Sequence, residues 1–150
     1  MASADDLGAV QALLRGCELP EADLTVASMC DFLTARTDTG ELIGCVGLER
    51  AGDAGLLRSL AVSPAARMKG LGTGLLQEME SHALATGVRR LFLLTTSASA
   101  FFASKGYTAC ARSEAPAGIR SSTQFTGICP QSATCMSRNL AVLQVSTVAP

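Results

Sequence analysis

Residues 67–74, Arg-Met-Lys-Gly-Leu-Gly-Thr-Gly, combine the residue types and spacing that best suit chemistry in this chain. An apolar run over 56–62 precedes them and an amphipathic stretch over 75–84 follows, which predicts a strand, a loop and a helix. Backbone N–H groups at such a helix start converge where the helix dipole is positive, and glycines let a ligand approach the backbone. Arg67 and Lys69 add positive charge nearby. The loop therefore predicts an anion site suited to a pyrophosphate.

Two other glycine-rich loops fit this stretch less well. A P-loop needs Gly-Lys followed by Ser or Thr, and residues 67–74 have no such pair. The dinucleotide fingerprint needs Gly-x-Gly-x-x-Gly, whereas Gly70, Gly72 and Gly74 alternate. From the loop alone, a purely structural turn between strand and helix stays open, because glycine punctuates many such connections.

Length and composition predict one compact domain. The chain has 150 residues, of which 48% are hydrophobic, and a net charge of −1. That charge argues against nucleic acid as a partner, because phosphate binding needs clustered Lys and Arg. We find no run near the ~20 apolar residues of a membrane span and no signal peptide, and we expect a cytoplasmic protein. We assign residues 1–140 to the domain and 141–150 to a C-terminal tail.

The cysteines are spaced singly and predict reduced thiols rather than a metal site. There are six, at Cys17, Cys30, Cys45, Cys110, Cys129 and Cys135. With His82 as the single histidine and no Cys-x-x-Cys pair, no zinc site is expected. Cys45 and Cys110 lie in apolar strand-like runs and are predicted to be buried.

The hydrophobic pattern predicts alternating helices and strands. Helices are expected over 5–14, after Pro20 and ending before Cys30, over 75–86, and between a cap at Ser97 and Gly106. Strands are expected over 31–36, 41–49, 55–62, 90–95, 107–112 and 133–140, the last two as a hairpin with an irregular stretch over 115–123 between them. This order indicates an α+β domain with a mixed sheet.

Residues 61–76 resemble motif A of the GNAT N-acetyltransferases, whose signature Arg/Gln-x-x-Gly-x-Gly/Ala is matched by Arg67, Gly70 and Gly72. Residues 91–96 and 100–107 are similar to the family's next two segments, so that the resemblance spans 5–140. It implies a single-domain acyl-CoA N-acyltransferase fold in the order α-α-β-β-β-α-β-α-β-β. It also implies acetyl-CoA as co-substrate, with no metal.

The resemblance implies that main-chain groups of the strand before the loop bind the pantetheine. The N–H of Leu60 or Ala61 would then polarise the thioester carbonyl, which is oxyanion-type stabilisation. The cofactor-binding residues implied in this way are Leu60, Ala61, Val62, Arg67, Met68, Lys69, Gly70, Leu71, Gly72, Thr73, Phe102 and Lys105.

The sequence departs from the family at both usual proton carriers. Phe102 stands where a tyrosine often serves as general acid, and Leu56 where some members carry a glutamate base. The coenzyme A thiol can leave without an acid, so a base is the greater need. Glu49 is the candidate carboxylate; the alternative is that it is a solvated turn residue paired with Arg50 or Arg58.

Charge and hydroxyl groups suggest the acceptor. Arg58 or Arg120 could bind a carboxylate with two hydrogen bonds, and Thr95 and Thr96 add hydroxyls at a strand end. Together they indicate a small anionic amine such as an amino acid.

Shorter segments over residues 44–50, 57–62, 94–96 and 128–133 are similar to the sequences of one subgroup of the family. It comprises the small N-acetyltransferases of arsenic-resistance operons and amino-acid (glutamate) N-acetyltransferase domains. This similarity implies direct acetylation of an amino acid or an arsenical analogue. Two alternative functions stay open: a catalytically reduced acyl-CoA-binding or sensing protein, and acetylation of a protein N-terminus or lysine. A homodimer is also possible from the sequence.

Overall fold

The helices and strands alternate along the chain. The computed structural model describes residues 1–67, 69–128 and 132–140. Within these ranges the helices are α1 (Leu7–Gly16), α2 (Leu71–Ala85), α3 (Ser99–Ser104) and α4 (Ala117–Arg120). The strands are β1 (Phe32–Arg36), β2 (Leu42–Ala51), β3 (Ala54–Val62), β4 (Arg90–Thr95), β5 (Thr108–Ala109) and β6 (Thr134–Asn139).

The six strands form one mixed sheet in the order β1-β2-β3-β4-β6-β5. β1 pairs antiparallel with β2, and β6 pairs antiparallel with both β4 and β5. β3 and β4 run parallel, with Ala54 opposite Arg90 and Leu56 opposite Phe92. The mixed sheet predicted from the sequence is therefore confirmed.

The residue contacts divide the chain into two units, each with its own apolar core. The first unit comprises residues 1–49 and 57–82, and its core contains Val10, Leu14, Leu24, Met29, Phe32, Cys45 and Ala61. The second comprises 50–56 and the residues from Ala83 onward, and its core contains Ala54, Leu56, Phe92, Ala115, Ile119, Phe125 and Cys135. Strands β2 and β3 each contribute residues to both units.

The hairpin of β1 and β2 requires a glycine opposite Phe32. Phe32 lies opposite Gly47. A Cβ atom on Gly47 would come within 2.4 Å of the Phe32 ring, so only glycine leaves room for this buried ring. The register and the packing of the first core therefore depend on the same pair.

Several predicted boundaries were wrong for local reasons. The second helix is a 3₁₀ segment over Val26–Asp31, which begins later and includes Cys30. The cap of α3 is Ala98 rather than Ser97, and Thr95 Oγ1 accepts the Ala98 N–H at 2.9 Å.

The expected strand over 107–112 shortens to β5, and the stretch predicted to be irregular contains α4. The order of α-helices and strands is accordingly α-β-β-β-α-β-α-β-α-β rather than the one expected. Hydrophobic periodicity does not encode side-chain hydrogen bonds such as the one that Thr95 accepts from Ala98.

Candidate active site

The loop between β3 and α2 is where the sequence predicts an anion site made of backbone groups. Ser63 donates its N–H to Ile43 O at 2.8 Å, which anchors the end of β3. A 3₁₀ turn over Pro64–Ala66 follows, and α2 begins at Leu71. The first intrahelical hydrogen bond runs from Gly74 N to Gly70 O at 3.0 Å. The N–H groups of residues 71–73 precede that bond and are available to an anion at the positive end of the dipole of a 15-residue helix.

The three glycines of the loop serve different purposes. Gly70 has φ +77°, a conformation that other residues rarely adopt, and it turns the chain into α2. A Cβ atom at Gly72 would lie 3.7 Å from Val62 Cγ2, and one at Gly74 would meet no atom within 4 Å. Packing therefore does not require glycine at position 72 or 74. Because neither residue has a side chain, space is left for a ligand at the start of the helix.

The basic residues of the loop are arranged along the end of β3. Arg67 is exposed and donates from Nε to Val62 O at 3.0 Å, while Nη2 lies 3.5 Å from Cys17 Sγ. Lys69 is exposed and lines a cavity of about 520 Å³ together with Gly70, Leu71 and Gly74. Met68, also predicted to bind the cofactor, lies outside the described residues.

The C-terminal part of β3 departs from regular strand geometry at Ser59. Its φ is +60°, which is uncommon for a residue other than glycine. Arg58 Nε donates to Ser59 Oγ at 3.0 Å, and Cys45 Sγ donates to Ser59 O at 3.3 Å. A left-handed residue re-aims the peptide groups that follow it, here those of Leu60 and Ala61. The backbone contact to a carbonyl oxygen stays a prediction for both residues and for Val62.

Arg58 is the centre of a buried ion cluster. Its side chain is 2% exposed, and its Nη atoms bind both oxygens of the Asp23 carboxylate. Nη1 also donates to Glu49 Oε2 at 2.9 Å. Burial by itself lowers the pKa of Arg58, but the hydrogen bonds to Asp23 and then Glu49 outweigh it and hold that pKa above its ordinary value. Arg58 therefore stays charged in the folded protein at neutral pH.

This cluster bears on two predicted roles. All three guanidinium nitrogens of Arg58 have partners within the chain, so the predicted contact with a substrate carboxylate would need one of them displaced. Glu49 is paired with Arg58, as one of the two alternatives had it, and its side chain is 41% exposed. Both substrate binding by Arg58 and base catalysis by Glu49 stay predictions.

Sequence reasoning missed Asp23 and Ser59. Asp23 is separated from Arg58 by 35 positions, and no local pattern links the two. Ser59 sits in an ordinary apolar strand pattern, and nothing in its neighbours signals a positive φ.

The remaining predicted residues belong to the second unit. Thr95 is partly buried at the end of β4, and Thr96 and Arg120 are exposed. Phe102 is buried, with its ring centroid 5.5 Å from that of Tyr107 in an edge-on contact. Lys105 Nζ lies 5.6 Å from the Phe101 ring centroid. The acceptor and cofactor roles predicted for these residues stay predictions.

The cysteines differ in accessibility. Among the described residues, the free thiols of Cys45 and Cys135 are buried, those of Cys17 and Cys110 are half-buried and that of Cys30 is exposed. Cys110 was expected to be buried and is only partly so. Cys129 lies outside the described ranges. In the part of the chain that the structure describes, no three His, Cys, Asp or Glu side chains are grouped for a metal ion, and no helix is long and apolar enough to cross a membrane.

We expect Cys45 to react far more slowly with iodoacetamide than Cys30. Burial raises the pKa of the Cys45 thiol to about 12, with a smaller contribution from Cys17, so almost no thiolate is present near pH 8. Peptide mass spectrometry after timed labelling should show at least a 100-fold difference in rate that disappears in urea. Equal labelling of both residues in the folded protein would contradict the buried position of Cys45.

Comparison with known proteins places this geometry in a family. Residues 28–109 match the family described as "Acetyltransferase (GNAT) domain". The amino-acid acetyltransferase of Neisseria meningitidis is 34% identical over 90 residues, which are 59% of this chain and 21% of that protein.

Two solved structures are similar to nearly the whole chain. N-acetylglutamate synthase from Neisseria gonorrhoeae, complexed with coenzyme A and N-acetyl-glutamate, superposes with a TM-score of 0.81 at 28% identity. The match covers 93% of this chain and 34% of the synthase. A Mycobacterium tuberculosis protein in complex with CoA superposes with a TM-score of 0.76 at 21% identity, covering 92% of this chain and 96% of that one.

These matches confirm the predicted acyl-CoA N-acyltransferase fold. The chain spans about a fifth of the length of the curated relatives that it matches and about a third of the gonococcal synthase. The family match covers more than half of the chain and includes β3, the loop and α2, the elements to which the predicted anion site belongs. The chain therefore belongs to the GNAT acetyltransferase-domain family.

Proposed function

We propose that this chain is an acetyl-CoA-dependent N-acetyltransferase that acetylates the amine of an amino acid or a close analogue by direct transfer. The observation that carries the proposal is the open start of α2 directly after a strand whose backbone turns at Ser59. One feature suits a pyrophosphate and the other a thioester carbonyl. The similarity to amino-acid acetyltransferases and to N-acetylglutamate synthase supports the acceptor class.

The loop residues would hold the cofactor by its phosphates. The N–H groups of residues 71–73 would donate to the pyrophosphate, and Lys69 would neutralise part of its charge. Acetyl-CoA supplies an acetyl group on a good leaving thiol. The chain's contribution is therefore mainly to bind and orient the two substrates.

The strand residues would stabilise charge on the reacting carbonyl. The N–H of Leu60 or Ala61, re-aimed by the turn at Ser59, would donate to the oxygen as negative charge develops on it. Because the donor belongs to the backbone, the apolar side chains at these positions do not prevent the role. Cys45 and Arg58, which hold Ser59 in place, would position this donor.

Glu49 would accept the proton that an amino-acid ammonium must lose before attack. Its partly exposed carboxylate is held by Arg58, which fixes its orientation. Thr95, Thr96 and Arg120 remain the other candidates for a contact with the acceptor, and Arg58 would make one only by exchanging a partner. An arsenical amino acid fits the same requirements and belongs in the substrate panel.

Thiol release from acetyl-CoA across amino acids, aminophosphonates and arsenical amino acids tests the proposal. We expect turnover on at least one carboxylate-bearing amine. Glu49→Gln should lower kcat about 100-fold or more near pH 7 with little change in acetyl-CoA affinity. The residual rate should rise with pH because the free amine becomes more abundant. An unchanged kcat in Glu49→Gln would remove this residue from the mechanism.

A second candidate is an acyl-CoA-binding or sensing protein. The buried Phe102 offers no hydroxyl where the family resemblance expects a tyrosine, and the Glu49 carboxylate is already paired. Acetyl-CoA binding by calorimetry, with no turnover on any amine in the panel, would favour this function. Turnover on peptides but not on free amino acids would instead favour a protein acceptor.

A further inference from the structure

Two thiols that the proposed function does not use lie in contact within the second unit. Cys110 Sγ and Cys135 Sγ are 3.4 Å apart, although the residues are separated by 25 positions. In the antiparallel pair of β5 and β6, Ala109 lies opposite Met136, which puts Cys110 opposite Cys135. The Cys110 N–H donates to Cys135 O at 2.9 Å, so the ladder continues through this pair.

This arrangement suits a disulfide without movement of the strands. Directly opposite residues of a hydrogen-bonded antiparallel pair have Cα atoms about 5.5 Å apart. Disulfides bridge Cα atoms separated by about 4.4–6.8 Å, with a preference near 5.5–6 Å. Rotation of the two side chains could therefore close the remaining distance between the sulfur atoms.

The two thiols differ in their access to solvent. Cys135 is 4% exposed and belongs to the second core, whereas Cys110 is half-buried and packs against that core from outside. Burial, and then the neighbouring Cys110, raise the pKa of the Cys135 thiol to about 12. An oxidant therefore meets Cys110 first, and Cys135 is placed to attack the modified sulfur.

We propose that Cys110 and Cys135 are a redox modification site that forms a reversible disulfide with a small-molecule disulfide as oxidant. The Cys110 thiolate attacks the oxidant RSSR, forming a Cys110–SR mixed disulfide and releasing RS⁻. Cys135 then loses its proton and attacks the Cys110 sulfur, which releases the second RS⁻. Both thiolates leave as RSH at neutral pH, so two protein thiols are oxidised and one RSSR is reduced to two RSH.

The disulfide would close the segment over residues 111–134, which carries α4 and Arg120. A cross-link of this length removes chain entropy mainly from the unfolded state. We therefore expect the oxidised protein to melt roughly 5–15 °C higher than the reduced protein. The inference does not depend on the proposed transferase activity, because it concerns only the two sulfurs and their strands.

Titration of the folded protein with oxidised and reduced glutathione tests the proposal. Cys129 lies on the same tryptic peptide as Cys135. The experiment therefore uses a Cys129→Ser variant, in which any disulfide from that peptide must involve Cys135. We expect a linked peptide joining residues 106–112 to residues 121–138, a mass loss of about 2 Da, and full reversal by dithiothreitol.

Two matched variants decide the result. Adding Cys110→Ser or Cys135→Ser to the Cys129→Ser background should abolish both the linked peptide and the rise in Tm on oxidation. The proposal is overturned if the first background yields only glutathione adducts or links through other cysteines. It is also overturned if the Tm rises equally in the Cys135→Ser protein.

Discussion

A Gly72→Glu variant is expected to fold normally and to lose measurable affinity for acetyl-CoA. The new Cβ would sit 3.7 Å from Val62 Cγ2, an ordinary contact, so the fold should tolerate the side chain. A carboxylate in the first turn of α2 interacts favourably with the positive end of the helix dipole, and glutamate is a better helix former than glycine. The free energy of unfolding should therefore be unchanged or slightly raised. The same carboxylate would occupy the place proposed for the pyrophosphate and repel it.

Calorimetry and thermal shift measure this effect. Acetyl-CoA at 100 times its Kd should stabilise the unmodified protein by about 2.7 kcal/mol and the variant not at all. Gly72→Ala is the matched control, since it adds a Cβ without charge and should retain binding within about tenfold. Affinity that is unchanged in Gly72→Glu would place the cofactor elsewhere and remove the main support for the proposed function.

Arg58→Met is expected to lower the free energy of unfolding by about 3–5 kcal/mol. The substitution keeps an apolar side chain of similar length but leaves the Asp23 carboxylate, whose side chain is 13% exposed, without its guanidinium partner. It also removes the hydrogen bond to Ser59 Oγ. Urea denaturation followed by circular dichroism should show the loss as a lower midpoint with the slope preserved.

Two further variants separate the ion cluster from a general effect of the substitution. Arg50→Met makes the same exchange at an exposed position and should cost less than about 1 kcal/mol. Adding Asp23→Leu to Arg58→Met should recover part of the loss, because the carboxylate that lost its guanidinium is then removed as well. An Arg58→Met protein as stable as Arg50→Met would mean that the cluster contributes little to the fold.

The position of Arg58 also explains why a substitution there cannot by itself identify the substrate. Its guanidinium holds Ser59, and Ser59 turns the backbone of the segment proposed to bind the thioester. A loss of activity in Arg58→Ala would follow from a displaced backbone donor as well as from a lost substrate contact. Arg120, which is exposed on α4, is the better position for testing carboxylate recognition.

The sequence alone determined the elements that have strong local patterns. Apolar residues at helical spacing predicted α1, and Val10 and Leu14 on that face are buried. The run over 90–95 gave the bounds of β4 without error. The glycines and cations of residues 67–74 indicated the loop and the helix start. Turns and helix starts depend on residues that are adjacent in sequence, so a local pattern can predict them.

Only the tertiary structure decided the contacts between distant positions. It joined Asp23 and Glu49 to Arg58, gave Ser59 its left-handed conformation, and brought Cys110 against Cys135. The ion cluster and the thiol pair each join parts of the chain that are far apart in sequence. A local pattern does not encode contacts between distant residues. The loop and helix start over residues 67–74 could therefore be predicted from the sequence, whereas the ion cluster and the paired thiols could not.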